Sequence, residues 1–150
     1  MSHTFTNLLT HVIFSTKDRR PLIAPEIKPR LHAYLGGMVR ALKGKPITLN
    51  GTVDHMHLII QLPPTLVLSE ALGVLKAKSS GWVNETFDLP RKFAWQTGYA
   101  GFSVSLSNLP AVVKYISLQE QHHQKMTFQE ELRKYLKKHG IEYDERYIWK

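Results

Sequence analysis

Two histidines separated by one residue are the side chains of this sequence that most directly predict chemistry. His55 and His57 lie in the run TVDHMHLIIQL, which is apolar, rich in β-branched residues and followed by two prolines. Such a run predicts a β-strand that ends at the prolines. Because side chains alternate between the two faces of a strand, both imidazoles face the same side of the sheet. Neighbouring imidazoles on one face predict a pair of metal ligands.

The composition limits what such a site could contain. A chain of 150 residues predicts one domain, 1–150, with a core of its own. The sequence contains no cysteine, so a metal here would be held by nitrogen and oxygen ligands. It has no apolar run long enough to cross a bilayer and no signal segment at its start. We therefore expect a cytoplasmic protein without a membrane partner.

The charge of the chain is strongly positive, with a formal net charge of +8 at pH 7. The excess is concentrated in residues 1–50, where Asp18 and Glu26 are the only acidic residues. This bias predicts a polyanionic partner, most simply nucleic acid. The alternative is a charge that is spread over solvated faces and serves solubility.

The elements that must position the histidine pair can be predicted from periodicity and from turn residues. Strands are predicted at 11–16, 47–53 and 98–105 in addition to the histidine strand, with a bend between residues 50 and 54, and helices at 25–42, 68–87, 111–125 and 127–139. We predict Ser69 as the N-cap of the second helix, and Thr127 with Glu130 as a capping box. The order β-α-β-β-α-β predicts an α+β, ferredoxin-like (RRM-like) split βαβ fold with two added C-terminal helices. Its antiparallel four-stranded sheet would carry helices on one face and leave the other face free.

Basic residues in two loops and on one helix are candidates for contacts with a nucleic acid. They are Lys17, Arg19 and Arg20 after the first strand, Lys76 and Lys78 on the second helix, and Arg91, Lys92 and Trp95 in the loop before the last strand. Cations can bind phosphates, and an exposed indole can stack on a base. The alternative for the second loop is an ordinary surface loop in which Phe93 and Trp95 pack inward.

A metal with two histidine ligands needs further groups, and the helix after the last strand contains them. Tyr115 and Gln119 are four residues apart and share a helix face. Gln119 can supply a neutral carbonyl oxygen to a hard cation, and Tyr115 can supply a phenolic nucleophile. Taken singly, each residue is more often structural. We interpret His122 and His123 as a polar helix end, because neighbouring helix positions point about 100° apart and cannot both face one metal.

Together these motifs resemble the single-tyrosine HUH transposases of small insertion sequences, the IS200-like family that includes the REP-associated tyrosine transposases. The matching segments are HVIFSTK at 11–17, RRP at 19–21, VDHMH at 53–57, WQTGY at 95–99, FSVS at 102–105, YISLQEQHH at 115–123 and the tail at 128–149. The resemblance covers nearly the whole chain in the correct order. Met56 is the hydrophobic residue between the two histidines.

The resemblance implies a mechanism. His55, His57 and Gln119 would bind a divalent metal, Mg²⁺ or Mn²⁺, and Tyr115 would attack a scissile phosphodiester to form a 5′-phosphotyrosine. Strand transfer or rejoining would follow. It also implies a substrate of single-stranded DNA with hairpin ends, and a homodimer in which the tyrosine helix of one subunit completes the site of the other.

Other interpretations remain open at this stage. An RRM-like module could bind single-stranded nucleic acid without catalysis, with structural histidines, although the sheet lacks the usual aromatic signature. A domesticated nuclease could process repeated hairpins without moving its own gene. A relative of replication initiators would be expected to be larger, with a different arrangement of tyrosines.

Overall fold

Four antiparallel strands form one sheet in the computed structural model, which describes residues 3–150. The spatial order is β2-β3-β1-β4, and the bounds are β1 Leu9–Ser15, β2 Lys45–Gly51, β3 His55–Gln61 and β4 Ala100–Val104. The helices are α1 Lys28–Ala41, α2 Leu68–Thr86, α3 Leu109–Ser117, α4 Gln119–His122 and α5 Phe128–Lys138, and a short 3₁₀ turn spans Lys17–Arg19. The predicted α+β, ferredoxin-like topology is confirmed.

A tight turn aligns the histidine strand. β2 ends at Gly51 and β3 begins at His55, so the predicted bend between residues 50 and 54 is confirmed. A Cβ atom at Gly51 would lie 2.2 Å from the carbonyl oxygen of His55, which only glycine can accommodate. In the register of the central strands, His55 lies opposite Ser15, and His57 lies opposite Ile13. The turn thus places both histidines on a central strand of the sheet, with His55 at its first position.

The main core lies between the sheet and the helices α1 and α2. β3 contributes Met56, Leu58 and Ile60 to this face, and β1 contributes Val12 and Phe14. All five side chains are fully buried. The intervening positions of β3 are buried as well, which explains why the strand reads as a continuous apolar run rather than as an alternating one.

The opposite face of the sheet is covered, so the expectation that it is free was wrong. Helix α5 and the C-terminal tail pack on it around a second cluster, which consists of Ile13, Phe102, Phe128, Leu132 and Leu136 with partly buried Ile148 and Trp149. The predicted capping residue Thr127 accepts a hydrogen bond from the backbone of Glu130, which fixes the start of α5. The physical reason is that Ile13, Ile59 and Phe102 place apolar side chains on this face beside the two histidines, and these side chains need a second layer.

The predicted helix at 111–125 is interrupted. Leu118 leaves the helical conformation with φ −105° and ψ 22°, and this residue separates α3 from α4. The carbonyl oxygen of Ile116 accepts a hydrogen bond from Asn50 of β2, 2.8 Å away. One helical carbonyl is thereby satisfied from outside the helix. The side chain of Ser69 does not cap α2, which begins at Leu68 with Val67 as its N-cap.

Within residues 3–150, no helix combines the length and the apolar character that a membrane crossing requires.

Candidate active site

The histidine pair lies on the sheet face that α5 covers. His55 and His57 are fully buried, and their ring centroids are 5.2 Å apart. The Nδ1 atom of His55 lies 2.8 Å from both the Asp54 carboxylate and the Thr52 hydroxyl. Its Nε2 atom points inward, 3.0 Å from Oε1 of Gln119. The turn before β3 therefore orients the first imidazole, and the predicted approach of Gln119 to this histidine is present.

A carboxylate at the centre of the cluster connects the histidine strand to the tyrosine helix. Oε1 of Glu131 lies 2.8 Å from Nε2 of His57, 3.0 Å from Nε2 of His123 and 3.4 Å from Nε2 of His55. Its Oε2 atom accepts a hydrogen bond from the Tyr115 hydroxyl. The Gln119 amide donates to the same oxygen over 3.1 Å. Glu131 is 1% exposed, so these contacts form away from bulk water.

Sequence reasoning missed Glu131 and the place of His123 in the cluster. The signal for Glu131 was a carboxylate within the apolar stripe of an amphipathic helix, between Phe128 and Leu132. His123 does lie at a helix end, as the C-cap of α4, but it also belongs to the cluster, because its Nε2 atom contacts Oε1 of Glu131. The argument that the adjacent histidines cannot face one metal is consistent with the structure. His122 instead stacks on the Tyr115 ring, at a centroid distance of 4.3 Å.

The donor set fits a divalent cation. Potential ligand atoms of His55, His57, His123 and Glu131 all lie within 4.8 Å of one another. Gln119 is also fully buried beside them. Imidazole nitrogens combined with carboxylate and amide oxygens suit Mn²⁺, and the oxygen ligands also suit Mg²⁺. A buried cluster of this composition could bind a metal ion.

Burial and the Glu131 carboxylate together determine the charges of the cluster. Burial opposes a charge on His55, but hydrogen bonds to Asp54 and Glu131 outweigh it and raise the pKa of His55 to about 9. At His57 burial dominates and lowers the pKa to about 4. Burial alone would raise the pKa of Glu131, but hydrogen bonds from the three histidines hold it far below the usual carboxyl range. Neutral pH thus favours an ionised Glu131 beside a protonated His55.

Tyr115 is held close to the histidines of its own chain. Its ring centroid is 6.3 Å from that of His57. Burial raises the pKa of the phenol, and the hydrogen bond to Glu131 and the charge of that residue raise it further. At neutral pH the hydroxyl therefore stays protonated, and it donates a hydrogen bond to the carboxylate.

Four of the predicted DNA-binding residues converge on one cleft. Lys17 and Arg20 from the turn after β1 meet Arg91 and Lys92 from the loop before β4 around a volume of about 460 Å³. All four side chains are exposed. Two loops that are seventy residues apart in the sequence thus form one cationic cleft.

The other predicted DNA-binding residues are placed differently. The prediction that Trp95 binds DNA was wrong, because the side chain is 7% exposed and its indole nitrogen donates to Ser79 inside the core. The ring therefore offers no surface on which a base could stack. Lys76 donates to the carbonyl oxygens of residues 97 and 98, and burial lowers its pKa to about 8. Arg19 lies over the Trp149 ring, at 5.6 Å from its centroid. Lys78 is exposed on α2.

This combination of a split βαβ sheet, a buried histidine pair and an adjacent tyrosine defines the class of tyrosine transposases. The sequence profile of the family "Transposase IS200 like" matches residues 4–119. The chain therefore belongs to the IS200-like tyrosine transposases, a family of DNA-cleaving enzymes, and the resemblance identified from the motifs is confirmed.

Individual relatives agree with this assignment. The transposases for insertion sequence element IS200 of Salmonella typhimurium and of Salmonella typhi are each 29% identical over 104 residues, which cover 66% of this chain and 68% of theirs. The fold is similar to that in a crystal structure of a transposase candidate from Deinococcus radiodurans, with a TM-score of 0.63 and 21% identity over 79% of this chain and 96% of that one. It is also similar to a REP-associated tyrosine transposase bound to a REP hairpin, with a TM-score of 0.61 and 16% identity over 82% and 74% of the two chains.

Proposed function

We propose that this transposase cleaves single-stranded DNA with Tyr115 as the nucleophile. The observation that carries the proposal is the position of the Tyr115 hydroxyl, which donates to the same carboxylate that contacts the histidine pair. The phenolic oxygen would form a bond to the scissile phosphorus, and the bond from phosphorus to the 3′-oxygen would break. The products are a 5′-phosphotyrosine and a free 3′-hydroxyl.

The proton balance of this step involves Glu131. Tyr115 must lose its proton when it attacks, and Oε2 of Glu131 is the acceptor to which the hydroxyl already donates. The departing 3′-oxygen takes up a proton from solvent water to become the hydroxyl, and Glu131 returns its proton to Tyr115 when the tyrosine is released. Because the phosphotyrosine is itself a diester, a second 3′-hydroxyl can attack it and release Tyr115. Rejoining and strand transfer therefore need no nucleotide cofactor.

We also propose that the reaction depends on a divalent metal, Mg²⁺ or Mn²⁺. His55 and His57 would hold it through their Nε2 atoms and Gln119 through its Oε1 atom, with His123 and Glu131 within reach of the same position. A cation held there would polarise the scissile phosphate and offset the charge that develops in the transition state. The support for this site is the burial and convergence of nitrogen and oxygen donors.

The substrate that fits best is single-stranded DNA with a hairpin. One structural relative is bound to a REP hairpin. In this chain, the four residues of the cationic cleft would bind the phosphate backbone. Lys78, which is exposed on α2, and Arg19, which lies over Trp149, remain further candidates. Lys76 and Trp95 are omitted, because their polar groups already have partners within the protein.

The homodimer with composite sites stays a proposal that one experiment can decide. In the structure a single chain brings Tyr115 to its own histidines. Mixing the Tyr115→Phe and His57→Ala proteins restores cleavage if the tyrosine acts in the partner subunit. The mixture stays inactive if Tyr115 acts within its own chain.

The experiment that tests the nucleophile uses a labelled hairpin-bearing single strand with flanking DNA. With Mn²⁺, the wild type should form a covalent adduct that survives denaturing electrophoresis. Tyr115→Phe should lose the adduct and keep DNA affinity, and His57→Ala should lose both cleavage and Mn²⁺ binding. Tyr135→Phe is the matched control, because the Tyr135 ring lies 5.7 Å from that of Tyr115. An adduct that persists in Tyr115→Phe and disappears in Tyr135→Phe would refute the assignment.

A further inference from the structure

A third buried histidine contacts the pair from the neighbouring strand. His11 of β1 is 1% exposed, and its Nε2 atom lies 2.8 Å from Nδ1 of His57. The two residues are diagonal neighbours, because His57 lies opposite Ile13 in the register. The other ring nitrogen of His57 faces Glu131. Each nitrogen of His57 therefore has one specific partner.

The contact between two imidazole nitrogens determines where the protons lie. A hydrogen bond between His11 and His57 needs one N–H group and one lone pair. If Nε2 of His57 offers its lone pair to a cation, the single proton of the neutral ring must be on Nδ1. Nε2 of His11 must then accept that proton in a hydrogen bond, which places the proton of His11 on its own Nδ1 atom.

The opposite arrangement applies while His57 contacts the carboxylate. Because an ionised Glu131 only accepts, Nε2 of His57 must donate to it, and Nδ1 of His57 then accepts from His11. An imidazole at position 11 can be either the donor or the acceptor in this hydrogen bond, whereas an ionised carboxylate at the same position could only accept. Because His11 is 1% exposed, burial disfavours the charged imidazolium, so a neutral ring with one donor and one acceptor is favoured.

Packing holds the His11 ring in the orientation that this contact needs. Tyr135 of α5 meets it edge-on at a centroid distance of 5.1 Å and an angle of 86°. Phe102 of β4 meets it from the strand side at 6.3 Å. The ring is thus fixed between β4 and α5. His55 has a different support, because its Nδ1 atom contacts a carboxylate and a hydroxyl instead.

We propose that His11 is a positioning residue, which orients His57 and sets its tautomer so that Nε2 is available to the divalent cation. This proposal rests on the metal site proposed above. Mutation of a group that binds the second nitrogen of a metal-binding histidine typically lowers the metal affinity by about 10–100-fold.

Two variants separate the hydrogen bond from the packing. His11→Phe keeps an aromatic ring and removes the acceptor, and His11→Gln keeps a donor and an acceptor. We expect His11→Phe to weaken Mn²⁺ binding by about 10–100-fold in calorimetry, and His11→Gln to recover most of the loss. Leu9→Val is the control, because it changes buried packing on the same strand and face and leaves the rings that hold His11 in place, so its Mn²⁺ affinity should stay close to that of the wild type. Wild-type affinity in His11→Phe, or an equal loss in Leu9→Val, would overturn the proposal.

Nitrogen NMR of the wild-type protein tests the same point without a variant. With Mg²⁺ bound, the ¹⁵N shifts should show protonated Nδ1 and unprotonated Nε2 on His57, and unprotonated Nε2 on His11. A protonated Nε2 on His11 would overturn the proposal even if His11→Phe did not fold. If the wild type binds neither Mn²⁺ nor Mg²⁺, the proposed metal site itself fails, which distinguishes the two failures.

Discussion

Replacement of Glu131 by alanine should strongly destabilise the protein in the presence of a chelator. The substitution removes the acceptor for Tyr115, Gln119 and His57 and the counter-charge of His55, all in a buried site. Removing one partner from a buried charged network costs about 3–5 kcal/mol of unfolding free energy. For a chain of this size, that loss corresponds to roughly 10 °C in the melting temperature.

The assay is urea denaturation at pH 7 in EDTA, followed by circular dichroism. Glu130→Ala is the matched control, because Glu130 occupies the preceding position of the same helix and is exposed. We expect that control to change the unfolding free energy by no more than about 0.5 kcal/mol. If Glu131→Ala proves as stable as Glu130→Ala, the carboxylate does not organise the cluster, and the reasoning about its hydrogen bonds is refuted.

Three further predictions follow from the charges and the packing. In EDTA, the contribution of His55 to the unfolding free energy should fall by about 1.5 kcal/mol between pH 6.5 and 8 and further up to pH 9, because the unfolded imidazole loses its proton above 6.5 whereas the folded one, with a pKa of about 9, keeps it. Asp54→Asn should reduce this fall in the same titration, and an unchanged fall would contradict the assigned cause. Lys92→Met should reduce the slope of log affinity against log salt by about 0.7 for a single strand. An unchanged slope in Lys92→Met would show that the cationic cleft does not bind the DNA backbone. In the same assay, a reduced slope in Lys78→Met would show that α2 also contacts the DNA. Trp95→Ala should cost about 3–5 kcal/mol of stability in denaturation experiments, whereas a small cost would contradict its place in the core.

The sequence carried enough information to predict the sheet and most of its helices. Alternation, β-branched residues and the prolines after β3 are local signals, so they identify strands without knowledge of the rest of the fold. The glycine and asparagine before β3 indicated the bend in the same way. The interruption at Leu118 was not predictable, because the nearby carbonyl of Ile116 is bound by Asn50, which lies on a distant strand. The sequence pattern of a helix does not show which of its carbonyl groups will accept a hydrogen bond from another element.

The candidate site was only partly predictable for a related reason. His55, His57, Tyr115 and Gln119 were found from spacing and from the family motif. Glu131 lies on helix α5, whose amphipathic pattern predicts that one face is buried. The pattern does not show which part of the protein that face packs against. Because α5 packs on the histidine face, a residue of that stripe becomes the centre of the cluster. Trp95 shows the converse, since the loop pattern could not decide between stacking on a base and packing inward.

The proposed DNA-binding cleft and the proposed cleavage site consist of different residues, which has a genetic consequence. If Tyr115 is the nucleophile and the cleft binds the DNA, as proposed, a substitution at Tyr115 removes cleavage and leaves DNA recognition intact. A gene copy with a substitution at Tyr115 would still encode a folded protein that competes for the same hairpins. Inactivated copies would then repress their active siblings, and the repression would grow with the number of copies in a genome.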